Sequence, residues 1–496
     1  MLPAVVDAQL IFITNNGAIT ITGYNGATDF VSIPSTTNGY PVTNIGTNAF
    51  YGSYIAGVTI PDSVTNIGDY AFEGNSGMAS VTIGTNVISI GDYAFIGCET
   101  LAGITIPNSA TNLGLDLFGG CESLTAITVG SQNANYSSAN GILFNKDQKV
   151  LVQFPAGKSG SYTIPTSVTN IADSAFDFCT YLTKLIIGTN VISIGTNVFH
   201  QCELVANLSI GTNVTSIGDA AFIFCSGLTN VTIPASVTNF GVNVFGACRA
   251  LTNFTVSPQN AYYASSNGVV FNKSLTTLLE YPAGKKGNYT ISNYVTSIGP
   301  YAFFDSSYLT NLTIGNGVTN IGDYAFYGVT MISTIFGTNV TSIGNHAFDY
   351  CMSLTNVTLP KTLASLGDYA FAHCYSIGAY YFLGNAPSAD PTTFDYDEAN
   401  IYPAAGTTGW GAGFAGLYVW NPQIQTGNNY LGSPTNPFEF NVTGNDNLVF
   451  IVEVCTNLFK PTWFSVATNT LTGGSSHFSD PQWTNSPGRY YRLRSP

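Results

Sequence analysis

The chain has 496 residues and is acidic, with 13 basic residues against 27 acidic ones and a formal net charge of −14. This balance argues against nucleic acids and anionic membrane surfaces as partners, because both need clustered basic side chains. No stretch approaches the roughly 18 consecutive apolar residues of a membrane span, so no membrane-spanning segment is predicted.

The first residues, Met1-Leu-Pro-Ala-Val-Val-Asp-Ala8, form a short apolar stretch that ends in Val-x-Ala. One interpretation is that residues 1–8 are the remnant of a secretion signal whose beginning is missing from the sequence. The other interpretation is a frayed first strand. The pattern leaves both open.

Residues 9–44 are predicted to form an N-terminal cap. Two alternating stretches, Ile11-Phe-Ile-Thr14 and Ala18-Ile-Thr-Ile-Thr22, flank Asn15-Asn-Gly17, and Asn-Gly favours a tight β-hairpin. A repeat array needs such a cap, because a bare end would expose apolar surface and unpaired strand edges.

A unit of about 23 residues recurs from residue 45 to residue 375. Residues 228–248 show its skeleton, Leu-x-x-Val-x-Ile-Pro-x-x-Val-x-x-Ile-Gly-x-x-Ala-Phe-x-x-Cys. Five residues after the start of each Ile-Gly step, or its equivalent, stands a Phe: Phe50, Phe72, Phe95, Phe118, Phe176, Phe199, Phe222, Phe245, Phe303, Phe326, Phe348 and Phe371. Such fixed spacing predicts a solenoid of stacked coils that bury their apolar side chains against one another.

Each unit is predicted to contain two short strands and a turn. Leu228-Thr-Asn-Val-Thr-Ile233 alternates apolar and polar residues, so Thr232 points outward, and Pro234 ends the strand. Val237-Thr-Asn-Phe240 is the second extended piece. Several units continue with Gly-Asp-Tyr-Ala-Phe, which predicts one helical turn with Ala and Phe inward. The Asp is interpreted as an N-cap rather than as part of a calcium ladder.

Two longer units, residues 131–165 and 257–291, are related to each other at an offset of 127 residues, as Phe144 and Phe271 illustrate. Each contains two segments that read as paired strands. We interpret each long unit as a repeat with an extra β-hairpin that projects from the array.

Eight of the nine cysteines occupy one position of the repeat: Cys98, Cys121, Cys179, Cys202, Cys225, Cys248, Cys351 and Cys374. Their spacing matches neither zinc nor Cys-x-x-Cys redox motifs. A column of buried free thiols is the favoured interpretation, although stacked neighbours would lie near one strand spacing, where an occasional disulfide is conceivable.

After residue 375 the pattern changes three times. Residues 376–420 are predicted to be a C-terminal cap, residues 421–436 a linker, and residues 437–496 a small domain of about five strands. The predicted fold class is therefore mainly β solenoid. It is a curved leucine-rich repeat array of about 12 repeats with two hairpin-containing long repeats, followed by a small β-sandwich-like domain.

The order and period of Ile-Pro, Ile-Gly, Ala-Phe and Cys resemble the BspA-like leucine-rich repeats of bacterial surface proteins. The resemblance covers roughly residues 40–420. Departures from the skeleton are Ala172 in place of Gly and four residues in place of Cys, namely Ser53, Asn75, Ser306 and Val329. The resemblance implies an extracellular or cell-surface protein that binds other proteins, including host matrix proteins in some members, with no catalytic residues to transfer. Residues 437–496 look like a module appended to secreted proteins of environmental bacteria.

The best candidate for a binding surface is the column of residues in the outward slots of the first strand. It contains Thr82, Thr105, Thr128, Lys184, Ser209, Asn230, Thr232, Asn253, Thr255, Asn311, Thr313, Asn356 and Thr358. Stacked coils would tile these side chains at roughly 4.8 Å per repeat, and solenoids bind ligands on such extended faces. The plainer interpretation is that Thr simply suits exposed strand positions.

No catalytic, cofactor or metal site is predicted. The four histidines, His200, His346, His373 and His477, match no metal or nucleophile motif. His346 and His373 lie on successive repeats and could be neighbours in space, but the favoured interpretation is two solvated turn residues. The carboxylates of residues 437–496 give no fixed glycosidase pair.

The predicted function is therefore a non-enzymatic, secreted or surface-displayed monomer that binds a protein or polysaccharide. The alternatives are a structural or ice-binding role through the Thr ladder, and an enzyme with its activity in the last domain.

Overall fold

A computed structural model describes residues 10–26, 30–404, 406–425, 438–457, 461–482 and 489–496. Every helix or strand in these residues is a β-strand, so the predicted all-β class is confirmed. The chain divides into two compact units, Met1–Lys286 with Gly299–Tyr308, and Gly287–Ile298 with Leu309–Pro496. The expected signal remnant and most of the expected linker lie outside the described residues.

The N-terminal hairpin forms where Asn-Gly predicted it. Strand Leu10–Asn15 pairs antiparallel with strand Ala18–Tyr24, and Asn16 and Gly17 between them have φ of 48° and 75°. Positive φ at both central residues is what a tight hairpin turn requires. Ala18–Tyr24 then pairs in parallel with Tyr40–Ile45, which begins the stacked coils and also pairs with the short strand Thr36–Thr37.

Each coil contributes a first strand and a second strand. First strands of neighbouring coils pair with one another in parallel, and so do second strands. The first strands of the first unit are Phe30–Ser32, Gly57–Thr59, Ser80–Thr82, Gly103–Ile106, Ala126–Val129, Gly160–Thr163, Leu182–Ile186, Asn207–Ser209, Asn230–Ile233 and Asn253–Val256. Those of the second unit are Gly287–Thr290, Leu309–Thr313, Ser333–Ile335, Asn356–Leu359, Ala379–Phe382 and Asn400–Pro403. We call the exposed side chains of these strands the first-strand face.

The second strands are shorter than the first strands but pair into sheets of more strands. In the first unit they are Asn66–Ile67, Ser89–Ile90, Asn112–Leu113, Asn170–Ile171, Ser193–Ile194, Ser216–Ile217 and Asn239–Phe240. In the second unit they are Ser297–Ile298, Asn320–Ile321, Ser342–Ile343 and Ser365–Leu366. The apolar residue of nearly every pair is buried and the polar residue faces outward, as alternation in a strand requires.

The two long units contain the predicted antiparallel strands, but these strands do not project from the array. Their bounds are Tyr136–Ala139, Ile142–Asn145 and Val150–Gln153 in one, and Tyr263–Ser266, Val269–Asn272 and Thr277–Glu280 in the other. Strand Val150–Gln153 pairs in parallel with the second strand Asn170–Ile171. Leu143 and Phe144 are almost fully buried. The hairpin therefore belongs to the stack, because its apolar side chains add to the core.

The helical turn predicted for Gly-Asp-Tyr-Ala-Phe is wrong. In the coil from Ile67, Tyr70 and Gly74 have φ of 56° and 71°, values that an α-helix does not contain. The N–H groups of Tyr70, Phe72 and Gly74 donate to carbonyls of the next coil at 2.8–2.9 Å. Hydrogen bonds between coils thus replace those that would run along a helix.

The aspartates of this segment also act between coils. Asp69 Oδ1 accepts the backbone N–H of Asp92 at 2.9 Å, and Asp92 Oδ1 accepts that of Leu115 at 2.7 Å. Asp173, Asp219 and Asp323 bond in the same way to the next coil. The carboxylates cap a neighbouring coil rather than a helix of their own, and we call this series the carboxylate ladder.

The repeat phenylalanines lie in the core. Their rings stack from coil to coil in continuous rows, which we call the phenylalanine files. In the first unit the ring centroids of Phe72 and Phe95 are 5.2 Å apart, and those of Phe199 and Phe222 are 4.8 Å apart. In the second unit Phe348 and Phe371 stack at 4.9 Å. These distances match the spacing of adjacent strands, so each ring packs on its equivalent in the next coil.

All eight column cysteines are free and buried, as the sequence predicted. Each lies so that its sulfur can donate to a backbone carbonyl, and the usual acceptor is the repeat Phe of the preceding coil. Cys225 Sγ, for example, lies 3.1 Å from the Phe199 carbonyl oxygen. In one of the four coils without Cys, Asn75 Nδ2 takes the same role and donates to Phe50 O at 2.7 Å.

The C-terminal region is an antiparallel β-structure, as predicted. After the small hairpin of Gly413–Phe414 and Leu417–Tyr418, the described residues form two three-stranded sheets. One contains Gln423–Gln425, Phe438–Thr443 and Ser475–Asp480, and the other contains Phe464–Thr470, Val449–Cys455 and Tyr490–Arg494. Side chains from both sheets, such as Phe440 and Phe450, share one apolar core, which is the arrangement of a small sandwich.

Candidate ligand-binding surface

The candidate binding residues all lie on first strands, and most of them face solvent. Asn253 and Thr313 are half-buried, whereas the other eleven are exposed. Lys184, on strand Leu182–Ile186, is the single cation of the set, beside Asn207 of the next coil. The candidate surface is therefore polar and nearly uncharged.

Several of these residues stand in register across neighbouring strands. Thr105 pairs with Thr128, and strand Asn230–Ile233 aligns with Asn253–Val256 so that Asn230 faces Asn253 and Thr232 faces Thr255. The expected single tiled sheet is not formed, however. The first strands pair in groups of two or three, so the first-strand face is divided into short patches.

The long units explain part of this division. The Ile127 N–H donates to the Gly141 carbonyl at 2.8 Å, and the Phe254 N–H donates to the Gly268 carbonyl at 3.0 Å. Each turn of a long unit therefore occupies the free edge of the preceding first strand. A further parallel strand cannot pair there, and the sheet stops.

Some of the polar groups on the first-strand face are already satisfied by one another. In the second unit Asn288 Oδ1 accepts from Thr310 Oγ1 at 2.9 Å and from Asn311 Nδ2 at 2.8 Å, and Ser333 Oγ donates to Asn311 Oδ1 at 2.7 Å. Such a network orders the side chains before a ligand arrives, which lowers the entropy cost of binding.

Sequence reasoning missed the aromatic end of the first-strand face. Thr358 is followed in register by Tyr381 and then Tyr402, whose rings stack at 5.4 Å. Ile335, the neighbour of Thr313, is 64% exposed. The repeat spacing from Thr358 to Tyr381 carried this signal, but Ala389-Asp390 stands where the preceding coil has Leu366-Gly367, so the repeat pattern is not evident there.

His346 and His373 are not solvated turn residues, so that interpretation is wrong. Both rings are largely buried, and their Nδ1 atoms lie 2.9 Å from the two oxygens of one buried carboxylate, that of Asp349. His346 is stacked between Tyr324 and Tyr369. The cluster arises because the residues occupy different slots on adjacent coils, which their separation in sequence does not reveal.

A second buried acidic cluster lies in the first unit. Burial and the neighbouring Asp177 carboxylate raise the pKa of Asp116 to about 9, so Asp116 keeps its proton at neutral pH. Asp177 Oδ1 lies 2.7 Å from His200 Nδ1. Burial likewise raises the pKa of Glu280 to about 8. The carboxyl groups of Asp116, Asp177 and Glu280 are enclosed by the coils.

Within the described residues, no group of His, Cys, Asp and Glu side chains is placed to hold a metal ion. The same part of the chain contains no helix with the length and apolar character needed to cross a bilayer.

A family model described as "BspA type Leucine rich repeat region" matches six copies in residues 29–147, 154–275 and 285–400. Among curated protein sequences, none matches the chain. A leucine-rich cell surface protein from Faecalibacterium prausnitzii is a similar solved structure, with 28% identity, a TM-score of 0.41, and coverage of 75% of this chain and 86% of its own.

Two further solved structures are similar over much of their length. For the pneumococcal vaccine antigen PcpA the identity is 19% and the TM-score 0.38, with 81% of this chain and 93% of PcpA covered. A leucine-rich repeat protein from Bacteroides ovatus shows 22% identity and a TM-score of 0.35, with 80% of this chain and 94% of its own covered.

Proposed function

Because the chain belongs to the BspA type of leucine-rich repeat proteins, we propose that it is a non-enzymatic binding protein, secreted or displayed at a bacterial surface. Its ligand is a protein or a polysaccharide held on the first-strand face, and it acts as a monomer. Adhesion is the role that such binding would serve.

The observation that carries the proposal is the exposed polar array on paired strands. Asn230 and Thr232 stand directly beside Asn253 and Thr255, so hydroxyl and amide groups repeat at one strand spacing in one direction and two residues in the other. Neutral donors and acceptors at regular intervals suit the hydroxyls of a polysaccharide or the backbone groups of an extended protein segment.

The ice-binding alternative is less well supported. A regular Thr ladder would have to continue from coil to coil, but Thr313 is followed in register by Ile335, and Thr358 by Tyr381. The first-strand face is also divided into short sheets. These interruptions favour recognition of a shaped ligand over recognition of a repeating lattice.

A binding screen tests the proposal. The protein is titrated with a panel of extracellular-matrix proteins and cell-wall polysaccharides, and the best ligand is measured again with two variants, Thr105→Lys with Thr128→Lys, and Thr232→Lys with Thr255→Lys. We expect at least one of these pairs to weaken binding about tenfold or more, because a long charged side chain blocks the contact.

Thr238→Lys with Thr319→Lys is the matched control. Both residues are exposed and directly precede second strands, so the change in net charge is the same on a different face. Unchanged affinity in both first-strand variants, or an equal loss in the control, would contradict the proposed location of the binding surface.

A further inference from the structure

An open cleft of 570 Å³ lies in the second unit, outside the first-strand residues considered above. Its walls include the exposed rings of Tyr375 and Tyr396, its carboxyl groups belong to Asp397 and Glu398, and Ile377 lies at its base. Two tyrosines that are 60% and 68% exposed on the wall of one cleft are a costly arrangement for solubility, and a ligand would explain it.

The orientation of the aromatic wall is fixed from behind. One face of the Tyr396 ring stacks on His373 at 4.6 Å, and Tyr375 meets the same imidazole edge-on at 6.0 Å. His373 is in turn held by Asp349. Tyr396, which lines the cleft, is therefore held by a rigid support and is not a free side chain.

The carboxyl side of the cleft is also built. Asp397 Oδ2 accepts from the hydroxyl of the fully buried Tyr380 at 2.6 Å, and Asp397 Oδ1 accepts from the Ala399 N–H at 3.1 Å. Glu398 beside it is exposed. None of the described residues that line the cleft is basic, so its charge is negative and unopposed locally.

This chemistry selects a cation. The face of a tyrosine ring is the negative end of its quadrupole and attracts ammonium groups, and carboxylates reinforce that attraction. An anionic ligand would be repelled. A neutral sugar could stack on the rings and donate hydroxyl hydrogen bonds to the carboxyl groups, but only a cation gains the Coulomb attraction of both the rings and the carboxyl groups.

We propose that this cleft binds an alkylammonium group, with Tyr375 and Tyr396 as the aromatic walls and Glu398 and Asp397 as the counter-charges. The ammonium group could come from a lysine side chain of a protein ligand or from a free quaternary amine. Both sources share the same chemistry and are separated by the experiment.

The experiment titrates the full chain with Nα-acetyl-lysine methylamide and with tetramethylammonium, and with their neutral analogues Nα-acetyl-norleucine methylamide and tert-butanol. Binding is followed by calorimetry at low and at physiological salt. We expect one or both cations to bind, the neutral analogues to bind about tenfold more weakly or not at all, and added salt to weaken the cation. Preference for the lysine compound indicates a protein source, and preference for tetramethylammonium indicates a small-molecule source.

Three variants locate the site. Tyr396→Leu removes the π face and keeps apolar bulk, Glu398→Gln removes a charge, and Gly378→Leu fills the cleft, where an added Cβ meets open space. Tyr396→Leu and Glu398→Gln should each lower the affinity about 3- to 10-fold, and Gly378→Leu should abolish binding.

The matched controls are Tyr51→Leu, at another exposed tyrosine, and Gly77→Leu, at another glycine whose Cβ would meet nothing within 4 Å. Both should bind as the unmodified protein does. Equal binding of cations and neutral analogues, tighter binding of a neutral saccharide such as cellobiose, or an unchanged affinity in Gly378→Leu would each overturn the proposal.

Discussion

The carboxyl group of Glu280, fully enclosed in the first unit, accepts a hydrogen bond from the backbone N–H of Phe245 at 3.2 Å. Two residues before Phe245 stands Asn243. At the offset of 127 residues that relates the two long units, the corresponding positions are Gln153 and Asp116, so the acid and the amide have changed places. All four side chains are buried.

We predict that Glu280 makes stability depend on pH. Burial raises its pKa from the ordinary value of 4.5 to about 8. The unfolded chain therefore releases this proton near pH 4.5 while the folded chain keeps it. The proton that the folded chain retains makes the free energy of unfolding largest below pH 4.5. The free energy of unfolding then falls by an amount on the order of a few kcal/mol as pH rises towards 8.

Denaturant unfolding of Glu280→Gln and of the unmodified protein between pH 4 and pH 9 measures this effect. The variant should lose less stability than the unmodified protein over the window from pH 4.5 to pH 8, because its amide does not titrate. Glu122→Gln, at an exposed acid, is the control and should follow the unmodified protein. Parallel curves for Glu280→Gln and the unmodified protein would show that Glu280 titrates normally.

The exchange of acid and amide predicts that a second substitution restores stability that the first one removes. Gln153→Glu alone places a second buried carboxyl group beside Asp116, which already interacts with Asp177, and should destabilise the protein at pH 7 by about 2 kcal/mol or more. Adding Asp116→Asn recreates the combination found at Asn243 and Glu280. A double-mutant cycle should recover about 1–3 kcal/mol as coupling. Simple additivity of the two changes would refute the pairing.

The phenylalanine files predict a large cavity effect. Phe199 is 1% exposed and its ring lies between Phe176 and Phe222. Phe199→Ala should lower the free energy of unfolding by about 3–5 kcal/mol, since both neighbouring coils lose packing. The control is Ile192→Ala, because Ile192 is 48% exposed on the same coil and its loss should cost under about 1 kcal/mol. Similar midpoints for the two variants would argue against a continuous file.

The burial of the cysteines predicts how many thiols react with a reagent in the folded and in the unfolded protein. All nine are buried free thiols, and burial raises the pKa of groups such as Cys202 and Cys248. A chromogenic thiol reagent at pH 8 should therefore report almost no reactive thiols in the folded protein, because the buried sulfur atoms are out of its reach. After denaturation without reductant it should report nine. A count of seven or fewer would show that stacked cysteines form disulfides.

The sequence was most informative where a local rule and the repeat pattern agree. Asn16-Gly17 predicted the hairpin, and the spacing of the phenylalanines predicted their files, because equivalent residues of stacked coils must lie together. The conformation at Tyr70 was predicted wrongly, because Gly-Asp-Tyr-Ala-Phe has the local signature of a capped helical turn. Bonds to the next coil, which no local rule contains, decided its conformation instead.

The candidate site was less predictable than the fold. Outward positions such as Thr232 followed from alternation along the strand, but the division of the first-strand face depends on the turns at Gly141 and Gly268 reaching a strand edge. The cluster of His346, His373 and Asp349 was missed for a related reason. It joins different slots of neighbouring coils, and only the three-dimensional offset between coils brings those slots together.

The carboxylate ladder has an evolutionary consequence. Each Asp bonds to a backbone N–H, a group that every residue except proline supplies, so the joint between two coils needs only a glycine before the donor and not a particular donor side chain. An in-frame duplication or deletion of a whole coil therefore leaves equivalent joints on both sides. Genes of this kind can change the length of their product in single-coil steps while the surface residues diverge freely.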